Sequence, residues 1–148
     1  MLGERKKLDK PGQGKRVGIG GGIEIGENAL QAVFREVIEE MGTKQDGDIV
    51  FRLNSAEQVG IVYFLFPHKK DFPGYNQRCY IFISNDYSGK SIETNDIKPE
   101  WYPVNQLPKE FMWPDNLLWV PQALSGQKIN GIFVYNENNQ ISDYKIES

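Results

Sequence analysis

Between Gly21 and Thr43 the chain reads GGIEIGENALQAVFREVIEEMGT, and no other stretch constrains it as tightly. The spacing runs Gly21, five residues, Glu27, seven residues, Arg35-Glu36-Val37, one residue, Glu39-Glu40, one residue, Gly42. From Asn28 onward the apolar residues Leu30, Val33, Phe34, Val37 and Met41 recur at three- and four-residue steps. That is the helical period. Asn28 suits the N-cap, with Gln31 three residues on as its capping-box partner. Gly42 follows the last apolar position and suits a helix C-terminus. At about 100° per residue, Glu36, Glu39 and Glu40 share one face, opposite Phe34, Val37 and Met41.

That acidic face is badly placed for a helix standing alone. Glu36 and Glu40 are like charges at i,i+4 and repel. Glu39 and Glu40 lie in the last turn, where the helix dipole prefers cations. Each effect costs a few tenths of a kcal/mol at a solvated surface. Local rules broken together point to a functional site. A divalent cation would reverse both penalties, because carboxylates are the hard oxygen ligands that Mg²⁺ or Mn²⁺ take alongside substrate phosphates. Ala32 lies on the same face and leaves room for a substrate. The competing reading is a solvated acidic face. It accounts for a lone pair of glutamates, but not for the whole spacing.

Composition narrows the class. At 148 residues the chain is expected to form one domain with a proper core. Hydrophobic content is 39%, charged content 25%, net charge -3 and pI near 5.2. The acidic balance argues against a broad nucleic-acid surface, so no polymeric nucleic acid is expected as partner. The single cysteine, Cys79, can form no intrachain disulfide. No apolar run approaches the ~18 residues of a membrane span, and no apolar signal segment opens the chain. The expected compartment is the cytoplasm, with no membrane association.

Along the chain, Met1 to Arg16 reads as a basic loop, with Arg5, Lys6, Lys7, Lys10, Lys15 and Arg16 around the turn formers Pro11, Gly12 and Gly14. Most of these cations are expected to be solvated; some could meet a triphosphate. Val17 to Ile23 reads as a short strand whose glycines, Gly20 to Gly22, let backbone approach a ligand. Ile49 to Leu53, Val59 to Phe66, Arg78 to Ser84 and Glu100 to Val104 read as strands. Pro67 to Gly74 reads as a hairpin loop carrying His68, the only histidine, which is expected to be exposed and not catalytic. Cys79 is expected to be a small buried hydrophobe. Asn85 to Lys98 is a polar tract containing Glu93 and Asp96. Pro114 and Asp115 suit the start of a second helix through Leu124, made irregular by Pro121. Ile129 to Tyr135 and Ile141 to Ile146 form a last hairpin. The pattern is α+β with a mixed sheet.

The stretch from Gly21 to Gly42 resembles the box of the Nudix hydrolase family, whose members hydrolyse nucleoside diphosphates linked to another group. Every charged and glycine position of that pattern is present. Thr43 departs from it, standing where an aliphatic residue is preferred. The resemblance implies a mixed β-sheet sandwiched between helices, with a loop-helix-loop on which Glu36, Glu39 and Glu40 hold metal. It implies the backbone carbonyl of Gly20 as a further ligand, and a Glu27–Arg35 pair bracing the loop against the helix. Asp96 or Glu93 could add another carboxylate. The family has a strand before the region of Gly3, so the first family strand is expected to be missing.

The segments Asp96-Ile97-Lys98-Pro99-Glu100-Trp101, Met112-Trp113-Pro114-Asp115 and Asp143-Tyr144 resemble the MutT-type branch of that family, the oxidised purine nucleoside triphosphatases that act on 8-oxo-dGTP. By that resemblance Trp113 stacks on the purine and Asp115 hydrogen-bonds the base edge. Aromatic faces do stack on bases, and a carboxyl can read an N–H-bearing edge. The alternative places Trp113 in the core and makes Asp115 a helix N-cap. Asn116 stands where the branch has a second aspartate, and Val17 where it has an asparagine on the base. Both are assigned to the substrate-binding set, with Phe64. The expected activity is cleavage of a nucleoside triphosphate to monophosphate and pyrophosphate. Nucleotide sugars, RNA 5′ ends, or nucleotide binding without turnover are the alternatives.

Overall fold

The computed structural model describes residues 1–6, 14–69, 71 and 75–147. The expectations for Lys7, Lys10, Pro11, Gly12 and Lys70 therefore lie outside the described residues, as does much of the loop closing at Gly74. The chain divides into two compact units. The first comprises Met1–Glu57 and Ser84–Trp113, the second Gln58–Ile83 and Pro114–Ser148.

In the first unit, β1 (Leu2–Arg5) is the middle strand of a three-stranded antiparallel sheet. It pairs on one side with β2 (Arg16–Val17), Gly3 opposite Val17, and on the other with β5 (Ile97–Glu100), Gly3 opposite Pro99. This corrects the reading of Met1 to Arg16 as a loop. Four residues, of which two are charged and one is glycine, carry no period-2 signal. Pairing with both neighbours makes the strand, and Gly3 at its centre is buried against Ile97 and Ile19 with no room for a Cβ. The strand expected over Val17 to Ile23 shrinks to Arg16–Val17, and the glycine run continues as loop. Glycines have no side chain to pack on a pleated surface.

The first helix, α1 (Ala29–Met41), starts and stops where the sequence places it. Asn28 Oδ1 accepts from Gln31 N and Gln31 Oε1 accepts from Asn28 N, each at 2.8 Å. This reciprocal box is worth about 1 kcal/mol. Val37 and Met41 pack on Phe51, with Met1, Ile19 and Leu53 around them. At the C-terminus the Gly42 N–H and the Thr43 hydroxyl both donate to the Ile38 carbonyl. Thr43 thus does capping work at a position where an aliphatic side chain would only pack.

Two segments read as separate strands are one, β3 (Phe51–Leu65). Its polar middle looked like a break, but those side chains are paired across to β4 (Gln77–Gly89), which is longer than expected. Asn54 Nδ2 donates to Asp86 at 3.1 Å and to Ser88 at 2.9 Å, and the Ser55 hydroxyl donates to Asp86 at 3.1 Å. The strand expected at Glu100 to Val104 lies earlier, at Ile97–Glu100, and Val104–Gln106 forms a 3-10 turn after Pro103.

In the second unit, Gly60 to Leu65 of β3 runs parallel to β6 (Ile129–Tyr135), which pairs antiparallel with β7 (Ile141–Glu147). The sheet order is β4-β3-β6-β7. It is a mixed sheet, and with two helices the class is α+β, as expected. Val59, Val62, Ile129 and Phe133 form the core with Ala123 of α2 (Asn116–Leu124). Pro121 sits inside α2, which remains α-helical throughout, contrary to the expected irregularity. Among the described residues no helix is long and apolar enough to cross a membrane.

Candidate active site

Arg35 is the hub of the box. Its guanidinium has five N–H donors in a rigid fork. Nε and Nη2 bind the Glu27 carboxylate, the shortest contact being 2.6 Å. Nη2 also donates to the Gly22 carbonyl at 2.7 Å, and Nη1 donates to Glu36 at 2.8 Å and Glu39 at 3.1 Å. Glu27 in turn accepts from the Glu24 N–H at 2.8 Å. The expected Glu27–Arg35 brace is therefore present, and it ties the glycine loop to the helix. Arg35 first, then the Glu24 backbone, hold the Glu27 carboxyl below its ordinary range. Glu27 and Glu36 keep Arg35 firmly protonated.

The glycine of the box has a steric reason. A Cβ at Gly21 would collide with the Glu36 carboxylate. Glycine here lets the loop backbone lie directly on an acidic side chain.

Glu40 is the odd member of the acidic face. Arg35 draws Glu36 and Glu39 together, but Glu40 is half-buried and its Oε2 atom has no hydrogen-bond partner among the described residues. Burial pushes its carboxyl up to about 7. Glu36 and Asp96 push in the same direction by like charge, while Arg5 and the Gly20 backbone pull it down. Gly20, Glu36, Glu40 and Asp96 thus share one electrostatic neighbourhood. Glu93 does not belong to it: its carboxylate turns to Lys6 Nζ at 2.8 Å. Among the described residues no three acidic, histidine or cysteine side chains already converge as a finished metal cluster. The donor set nevertheless fits a hard divalent cation. A buried carboxylate oxygen lacking a partner is costly, and a cation between Glu40, Glu36 and Asp96 would remove both that cost and their repulsion.

The residues assigned to substrate fall into both units. In the first, Trp113 is half-buried with the Lys15 ammonium 5.4 Å from its ring centroid. The neighbouring Arg16 lies over Phe111 at 4.9 Å. Val17 is held in β2 opposite Gly3. In the second unit, Phe64 stacks on Phe133 at 6.0 Å. Asp115 is 3% exposed, and its side chain makes no N-cap bond. The Tyr135 hydroxyl donates to its Oδ1, and Trp119 Nε1 (2.7 Å) and Asn116 Nδ2 (3.0 Å) donate to Oδ2. His68 makes an edge contact with Phe66. Lys15 on Trp113 carries no sequence signal, since one lysine in a basic loop looks like any other.

A NUDIX domain family model matches residues 1–123. The chain belongs to the Nudix hydrolase family. As a Nudix hydrolase it is an enzyme, and divalent cations are general in the family. It is 28% identical over 147 residues to the oxidized purine nucleoside triphosphate hydrolase of Danio rerio, covering 99% of this chain and 85% of that protein. The Mus musculus protein of the same name is 27% identical over 146 residues, with the same coverage of each. An uncharacterized Nudix hydrolase of Bacillus subtilis, YvcI, is 25% identical, covering 95% of this chain and 84% of that one. The Mutator MutT protein from Bacillus halodurans has the same fold, with a TM-score of 0.75 at 21% identity over 99% of this chain and 88% of that one.

Proposed function

We propose that this Nudix hydrolase cleaves purine nucleoside triphosphates, oxidised ones such as 8-oxo-dGTP included, to the monophosphate and pyrophosphate. The observation that carries the chemistry is the buried oxygen of Glu40, without a hydrogen-bond partner among the described residues, beside Glu36 and Asp96. The substrate class rests on the vertebrate relatives' names and on the half-buried face of Trp113.

Glu36, Glu39, Glu40, Asp96 and the Gly20 carbonyl would hold Mg²⁺ or Mn²⁺. Such a cation lowers the pKa of a water and neutralises charge developing on the phosphates. Arg35 does not touch substrate in this reading. It fixes Glu36 and Glu39 on the helix and Gly22 on the loop, so that the donors keep their spacing when repulsion would part them. A box glutamate accepts the proton of the attacking water. Trp113 stacks on the base, and stacking tolerates changes of base identity. Within the first unit, Val17 joins Trp113 in the base-contact assignment on the strength of the family resemblance.

The test is pyrophosphate release with Mg²⁺, as kcat/KM for 8-oxo-dGTP, dGTP, dATP and dCTP on one preparation. Purines should lead, with a shallow preference between 8-oxo-dGTP and dGTP. Val17 can donate no side-chain hydrogen bond, and polar contacts are what make such selectivity steep. Activity confined to nucleotide sugars, or a lead for dCTP, would overturn the substrate class.

A further inference from the structure

We propose that Thr94 is the positioning residue that sets the distance between Glu40 and Asp96. This rests on the reading of those two residues as cation ligands. The last carbonyls of α1 have no partner within the helix. Ile38's carbonyl is met by Gly42 and Thr43, Met41's by the Ile92 N–H at 2.9 Å, and Glu40's by the Thr94 hydroxyl at 2.7 Å. The acidic end of the helix is thus finished by the loop that carries Asp96.

One oxygen does the joining. Thr94 Oγ1 donates its single hydrogen to the Glu40 carbonyl and accepts from the Asp96 N–H at 3.3 Å and the Ile97 N–H at 3.4 Å. A hydroxyl is the one small group that can donate in one direction and accept in another. The loop is anchored around it: Thr94 N donates to the Ile97 carbonyl at 2.9 Å, and Asp96's carbonyl accepts from Lys6 N of the N-terminal segment at 3.1 Å. Two backbones bearing mutually repelling carboxylates therefore hang from one side chain. Its loss would let Glu40 and Asp96 separate and would weaken their joint hold on a cation.

The experiment uses Mn²⁺ alone, without nucleotide, titrated by EPR into the parent, Thr94→Val, Thr94→Ser and Glu40→Gln, with melting curves in EDTA for each. Thr94→Val keeps the side chain's volume and removes both hydrogen-bonding functions. The expected result is Mn²⁺ binding weakened about 10- to 100-fold, the usual effect of losing a group that orients a ligand. Thr94→Ser restores it. Thr94→Ala serves the same comparison with Thr94→Ser if the valine variant shows no cooperative melt. Weak binding in both Val and Ser, tracking a lowered Tm in EDTA, would make Thr94 merely structural and overturn the inference. So would parental binding in the valine variant beside a weak Glu40→Gln. Parental binding in Glu40→Gln would bring down the cation reading itself, and this inference with it.

Discussion

Two carboxyls in this chain are raised by the same cause and are met in opposite ways by their surroundings. Glu40, in the first unit, and Asp115, in the second, are both pushed up chiefly by burial. Asp115 answers with three donors: the Tyr135 hydroxyl, the Trp119 indole N–H and the Asn116 amide. Glu40 leaves one oxygen without a partner among the described residues, and has Glu36 and Asp96 as like-charged company. A buried carboxylate met by three donors is held as part of the fold; one with an unmet oxygen among other carboxylates is the arrangement that a cation would relieve. Burial alone does not distinguish the two. The hydrogen-bond inventory does.

The largest effects should come from the unmet side. Glu40→Gln is expected to lower Mg²⁺-dependent turnover at least ~100-fold, since even groups that only orient a ligand cost 10- to 100-fold. The Tm should hold or rise slightly, because the i,i+4 repulsion with Glu36 is gone. Near-parental turnover at saturating Mg²⁺ would remove Glu40 from the ligand set. Arg35→Ala is expected to cost about 100-fold in kcat through misplacement of Glu36 and the glycine loop. It should also lower the Tm, because Glu27 is left facing Glu24 and Glu36 without its cation. A parental melt in that variant would show that the brace is dispensable.

The met side predicts the reverse pattern. Asp115→Asn puts an amide among three donors, so one buried donor loses its acceptor. The expected loss is about 1–3 kcal/mol of stability, read as a lower midpoint in urea with an unchanged m-value. A parental midpoint with a raised KM for purine triphosphates would instead assign Asp115 to the base, as the family resemblance has it, and end its comparison with Glu40.

The acidic helix was legible in the sequence because its signals are local and redundant. Asn28 and Gln31 cap it, the apolar stripe sets its period, and Glu36, Glu39 and Glu40 follow from that period. The Glu27–Arg35 brace could be inferred only from the family pattern, since eight residues separate the partners across a loop. β1 was illegible: Leu2–Arg5 becomes a strand through its two neighbours and through a glycine that matters for what it lacks. β3 was misread as two strands because Asn54 and Ser55 look like breakers until Asp86 and Ser88 stand opposite. Thr94 had no sequence signal, as a hydroxyl bridging two backbones is a property of the fold. The hub around Asp115 joins residues twenty positions apart, which no spacing rule links.

The smallest effect separates the two carboxyls by proton. In EDTA, folded Glu40 holds its proton up to a pH of about 7, against 4.5 for an ordinary glutamate. The folded state therefore binds more protons than the unfolded one across that window. Its contribution to stability is full below 4.5 and is lost as pH rises through about 7. One proton limits the slope to about 1.4 kcal/mol per pH unit. Glu40→Gln cannot titrate, so the parent-minus-variant stability should fall between those values and be flat beyond them. Saturating Mg²⁺ should abolish the fall, because a cation held by Glu40 would take the place of the proton. A difference curve that is flat in EDTA would mean that Glu40 finds a partner in solution, and the contrast with Asp115 would close.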